Sequence, residues 1–181
     1  MMAGFPVSRS WGHLLTNGSF NQQAPPFPMA LISFSRPFLQ WIAQRLEQAS
    51  EGMLTPGSNL FMHCEQGVAQ KVQSALAGKL GYCVEVSHAS IRPEAPDDPN
   101  NRFANMEVEV TFARSLLCQV ELLPLVDTLY SSFVGACTRP TPLARVGDIW
   151  VGSLEASVDT RLGITLHTFT VTTKIDLTPR Q

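Results

Sequence analysis

The stretch 106-MEVEVTFA-113 decides the fold. Met106, Val108, Val110 and Phe112 alternate with Glu107, Glu109 and Thr111. Successive side chains of a strand point to opposite faces, so this pattern predicts a strand with one buried and one wetted face. A partner lies just upstream. Tyr82, Val84, Val86 and His88 share one phase, and Cys83, Glu85 and Ser87 share the other. Between them, 92-RPEAPDDPNNRF-103 holds three prolines, two aspartates and two asparagines. That is turn chemistry, so the pair predicts a hairpin with a long, exposed, acidic tip.

A second pair of strands closes the chain. Residues 148–158 carry Ile149 and Val151, then Leu154, Ala156 and Val158. The apolar phase slips at Gly152-Ser153, which predicts a bulge. After a turn at Arg161-Leu162-Gly163, residues 163–177 set Phe169, Val171, Thr173, Ile175 and Leu177 against Thr168, Thr170, Thr172 and Lys174. A threonine-rich polar face suits a solvated or partner-facing sheet.

Three segments read as helices. In 36–50, Phe38, Trp41, Ile42, Leu46 and Ala49 recur at helical spacing, with Ser35 as N-cap, Pro37 in the first turn and Gly52 as the stop. In 66–80, Val68, Val72, Leu76 and Leu80 repeat every four residues up to Gly81. In 119–136, Leu122, Val126, Leu129 and Phe133 line one face beside Leu125, and Pro124 limits where regular hydrogen bonding begins. Loops are expected at 53–58 and 138–147. The expected fold is therefore α+β: a mainly antiparallel sheet of about four strands in two hairpins, covered on one side by two to three helices, in the order ααββαββ.

Residues 1–34 differ in character, with Asn17-Gly18, Asn21-Gln22-Gln23 and Pro25-Pro26. Two readings stay open. Met29 opens a plausible second start, MALISFSRPFLQWIA, which makes the first 28 residues an upstream extension. Alternatively, 1–34 is a flexible arm that docks on a partner through Trp11, Leu14, Leu15 and Phe20. Residues 35–181 form one domain in either case, a length suited to one core.

Charged residues make up 15% of the chain, and hydrophobic residues 44%. So low a charge fraction fits a subunit that hides surface in an assembly, because contact cores are depleted in charge. Thirteen Lys+Arg against fifteen Asp+Glu give a net charge of −2, with no basic run. Nucleic-acid binding, which draws on cations set against phosphates, is disfavoured. The N-terminal residues lack a basic start followed by an apolar run, so a secretory signal is not expected, and no apolar run approaches membrane length. Cys64, Cys83, Cys118 and Cys137 lie apart in apolar segments, as reduced core filler does.

No constellation of catalytic residues emerges. His63, Cys64, Cys83 and His88 match no common zinc spacing; His88 and His167 at strand positions and the cysteines as core filler are the better account. Cys64 beside His63 lacks the base geometry a nucleophile needs. Glu107 and Glu109 share one strand face, where the ordinary explanation is solvation. Asp97 and Asp98 sit in turn-rich sequence. Neither a phosphate loop nor a nucleophile elbow occurs. The expectation is no catalytic site, no cofactor and no metal.

The amphipathic SRPFLQWIAQRLEQA, the alternating MEVEVTFA, the helix ELLPLVDTLYSSF and the closing ITLHTFTVTTKIDL follow one another in an order that resembles phage tail terminator and neck or tail-completion proteins. The resemblance covers about 35–178 and rests on element order. The segment at 66–80 and the N-terminal extension depart from it, so another virion or secretion-system subunit also fits. The resemblance implies a virion protein made in the host cytoplasm: a homo-oligomeric ring, typically a hexamer, capping the tail tube and meeting the head connector. Two alternatives compete. One is a small enzyme or ligand-binding domain with a pocket near Tyr82, Cys83, His88 and His167. The other is a strand-accepting adaptor module.

Overall fold

Burial along 103–115 alternates residue by residue as far as Val110, then turns continuous from Val110 to Ala113. One face of this strand is covered along its length, and the other only at one end. The computed structural model describes residues 29–63, 65–94, 103–134 and 149–176. In chain order the elements are α1 (Met29–Ala49), β1 (Leu60–Met62), α2 (Val68–Ala77), β2 (Tyr82–Pro93), β3 (Phe103–Ser115), α3 (Leu123–Ser131), β4 (Ile149–Val151), β5 (Glu155–Asp159) and β6 (Ile164–Asp176).

The strands make one mixed sheet in the order β1-β2-β3-β6-β4, with β5 also paired to β6. All pairs are antiparallel except β1 with β2. The α+β character and the two hairpin pairings match the sequence reading. The strand number and the element order do not: six strands stand where about four were expected, and the order is αβαββαβββ, not ααββαββ. The extra strands have separate causes. β1 is three residues, LFM, too short to show any alternation. The expected strand 148–158 is split at Gly152. There β4 pairs Val151 with Val171, and β5 resumes with Glu155 opposite Thr168, one residue out of step. That extra residue is the bulge the phase slip predicted. A Cβ on Gly152 would lie 2.3 Å from Thr170 Oγ1, so any larger residue there forces Thr170 to shift. A second bulge falls between His88 and Ser90 of β2.

α1 and α3 lie on one face. Phe38, Leu39, Ile42 and Leu46 of α1, and Leu122, Leu125, Val126, Leu129 and Phe133 around α3, pack on Val84, Val108, Val110, Phe112, Phe169 and Val171. Arg45 ties the two helices together. Its Nε donates to Ser132 O at 2.7 Å, at the end of α3, and its guanidinium lies over the rings of Trp41 and Phe133.

The expectation that helices cover a single side is overturned by α2. Val68, Val72 and Ala75 pack with Phe61, Cys83 and Ala113 on the opposite face. The cause is topological. β1 and β2 are adjacent and parallel, and parallel neighbours need a crossover connection, here α2.

Helix limits also differ from expectation. α1 begins at Met29, so Pro37 is interior and Ser35 is not a cap. Nothing between Met29 and Arg36 breaks a helix, and the run simply continues through the proline at the loss of one hydrogen bond. α2 ends at Ala77, which leaves Leu80 exposed in the turn before Gly81. α3 starts only at Leu123, because Pro124 fits its first turn and no earlier part of a helix. β2 and β3 run to Pro93 and from Phe103, further into the expected loop than its prolines implied. The tip 95–102 and the loop 138–147 lie outside the described residues.

Candidate interaction surfaces

The register arranges the face opposite α1 and α3 into cross-strand rows. One row is Glu85, Thr111 and Thr168; the next pairs Ser87 with Glu109 and Thr170. Beyond the β2 bulge come Ser90, Glu107, Thr172 and Trp150, then Arg92, Asn105 and Lys174. α2 shelters the end of this face nearest Cys83 and Ala113, and the remaining rows are half-exposed.

The row nearest α2 is buried. Glu85 and Thr111 are almost inaccessible, and Glu85 Oε1 lies 2.9 Å from Nδ1 of the exposed His63 at the end of β1. That hydrogen bond and the charge of Glu85 outweigh partial burial, so the His63 imidazole is held above its ordinary pKa. Glu65 anchors the start of α2 nearby. It accepts from the Met62 N–H at 3.0 Å and from Lys71 at 2.8 Å.

Further rows hold paired polar groups. Glu107 accepts from Ser90 Oγ at 2.8 Å and lies 3.8 Å from Arg92; Thr111 Oγ1 lies 3.2 Å from Glu109. These two carboxylates are therefore engaged with strand neighbours, not aimed at a common point. Lys174 reaches Glu94 at 2.6 Å and lies over the Phe103 ring. Trp150, half exposed, stands on this face beside Thr172.

The residues considered for a pocket do not converge. Tyr82 and His167 belong to the α1/α3 face, while Cys83 faces α2. Burial, with the charge of Glu85, pushes the Cys83 thiol up to about 12, so it stays protonated and inert. His167 packs edge-on against Phe112, and burial and the charge of Arg114 lower its pKa. His88 pairs with Val108, four residues along β3 from the Phe112 row of His167. At strand spacing that is about 14 Å along the sheet. His63 is engaged with Glu85, and among the described residues no cluster of three metal-ligating side chains occurs. Cys64, Asp97, Asp98 and Cys137 lie outside the described residues. An open groove of about 500 Å³ runs beside α2, lined by Gly57, Ser58, Phe61, Gly67 and Lys71 among others.

Among the described residues, a cluster of exposed apolar side chains lies at one end of the sheet. Leu116, Leu117, Val120 and Leu123 are exposed on the connection from β3 to α3, Leu117 at 91%. Leu80 and Leu162 join them from neighbouring turns. Ser115 N–H donates to Gly81 O, Leu116 N–H to Gly163 O, and Cys118 Sγ lies 3.3 Å from Leu80 O. Gly81 has φ +69, and a Cβ there would press on Cys118. Sequence periodicity missed this end. It assigned Leu80 to the buried face of α2 and began a helix at 119. The available signal was 116-LLCQVELL-123, which holds more apolar residues than one helix face hides.

No helix among the described residues is long and apolar enough to cross a membrane. No protein-family model matches the chain, and no curated protein matches it. It is similar in outline to a crystal structure of a protein from Akkermansia muciniphila. That likeness has 10% identity and a TM-score of 0.35, over 86% of this chain and 90% of that one. A second structure from the same organism, determined without its transmembrane region, shows 12% identity and a TM-score of 0.29 over 87% and 90%. Likeness at these scores carries no argument about function.

Proposed function

We propose that the protein is a structural assembly subunit, working through surfaces that bind other proteins. It is a virion protein, synthesised in the host cytoplasm, that resembles a phage tail terminator or head–tail completion subunit and forms a homo-oligomeric ring. On this reading it caps the tail tube and meets the head connector.

The observation that supports it best is the exposed apolar end formed by Leu80, Leu116, Leu117, Val120, Leu123 and Leu162. Contiguous apolar surface on a folded chain marks a contact site. The half-exposed face bearing Trp150 and the threonine rows is a second surface suited to a partner. The pocket reading is weakened because Tyr82, Cys83, His88 and His167 fall on different faces and rows.

The test is absolute mass in solution by light scattering, alone and with tail-tube protein, for the native chain and Leu117→Asp. The expected result is a discrete oligomer, formed alone or on mixing, that Leu117→Asp weakens at least tenfold without unfolding the domain. A native chain that stays monomeric with and without tail-tube protein overturns the reading.

A further inference from the structure

We propose that the sheet continues from copy to copy, with the outer edge of β5 in one copy pairing antiparallel to Ser90–Pro93 of β2 in the next. This names the contact within the assembly reading above and rests on it.

One stretch of open edge on each side of the sheet is long enough for a further strand, among the described residues. β1 pairs only with Val84–Val86, leaving β2 without an outer neighbour from Ser87 to Pro93. On the far side, β5 pairs with β6 and with nothing beyond. An unpaired edge presents a row of backbone donors and acceptors suited to another strand. Both edges also carry a bulge, at His88/Ser90 and at Gly152–Leu154, which restricts regular pairing to a short stretch on each.

Direction and facing agree. β5 runs with β3, since both are antiparallel to β6, and therefore opposite to β2. A neighbour in the same orientation thus offers β2 antiparallel to β5. Glu155 and Ser157 share the face of Thr168 and Leu166, and Ser90 and Arg92 share that of Glu107 and Asn105. These are one and the same side of the sheet. Ala156 and Ile91 lie on the other, opposite His167 and Met106. A one-residue slip would invert every side chain, so only alternate registers are allowed.

One allowed register matches chemistry at each rung: Glu155 against Arg92, Ala156 against Ile91, and Ser157 against Ser90. It lies between the two bulges and leaves the exposed Val158 adjoining the contact. Arg92 is largely exposed and only 3.8 Å from Glu107, so donors remain for a second carboxylate. The two edges are different surfaces, so the contact is head-to-tail, and its repetition closes a ring or runs on as a filament.

The test is disulfide trapping in the full chain. Ser90→Cys and Ser157→Cys are made singly and together, mildly oxidised beside the native chain, and resolved on a denaturing, non-reducing gel. The expected result is a covalent ladder from the double variant alone, ending at the mass that light scattering gives for the native oligomer. A native oligomer whose double variant yields no ladder overturns this contact and leaves the assembly reading standing. A protein that is monomeric throughout overturns both. Dimers from Ser157→Cys alone point to two-fold β5 pairing and also overturn the proposal. As a second readout, Glu155→Arg and Arg92→Glu should each weaken the oligomer about tenfold, and the double swap should restore it. No restoration counts against the register.

Discussion

The two faces of the sheet are built from the same strands and behave as different materials. On the α1/α3 face, Val84, Val108, Val110, Phe112, Phe169 and Val171 form one dry layer under two helices. On the other face, neighbouring residues of those strands carry glutamates, serines and threonines, and only the end under α2 is apolar. Alternation assigns each residue to a face. What then covers a face depends on which connections cross it. The first face holds the molecule together, and the second is available for contact.

The sharpest way to break this contrast is to exchange character at adjacent positions. Val110→Asp buries an unpaired charge in the dry layer and is expected to cost more than about 4 kcal/mol, leaving no cooperative transition. On the polar face of the next strand, Thr172→Ala is expected to stay within about 1 kcal/mol in the same denaturant titration. A soluble, folded Val110→Asp protein would mean the two faces have been assigned the wrong way round.

Phe133→Ala probes the helical cover of the dry face. Phe133 is fully buried and meets Trp41, Phe169 and Arg45. A loss of about 3–5 kcal/mol is expected by chemical denaturation. A loss under about 1 kcal/mol would show that α3 is not an integral part of the core.

Gly152→Ala tests the bulge that divides β4 from β5. Its added carbon meets Thr170 Oγ1, and a loss of about 1–3 kcal/mol is expected from overpacking. Thr170→Ala removes that oxygen, so the double variant should recover most of the loss. Strict additivity of the two changes would show that the close approach is not what limits residue 152.

The smallest effect concerns the buried end of the polar face. His63 has its pKa raised by Glu85 in the folded protein. Protonated His63 therefore favours the folded state. That contribution is fully present below the unfolded value near 6.5 and is lost as pH rises through the higher folded value. Because His63 is largely exposed, the change is modest. The expected outcome is a stability that declines across this window and a decline that Glu85→Gln abolishes. An unchanged pH profile in Glu85→Gln would remove the pair from the account.

Much of the architecture was legible because single residues carried it. The run from Met106 to Phe112 gave a strand, its partner and the buried phase. Pro124 limited the start of α3, and the phase slip at Gly152 located a bulge before any pairing was known. Illegible features share a different cause. β1 is too short to have a period, α1 extends upstream of Pro37 where local rules start a helix, and Leu80 fits the spacing of α2 without belonging to it. The apolar end at Leu116–Leu123 was hidden because three turns distant in sequence assemble it.

By itself, then, the sequence determined the strand phases, the hairpins and the helical faces, since these follow from spacing along the chain and the geometry of each element. The tertiary structure alone decided that β1 pairs parallel to β2, that the crossover helix α2 lies on the opposite face, and that Glu85 lies buried against His63. Those features depend on which strand edges meet, and pairing across long stretches of chain is settled by packing, not by local period.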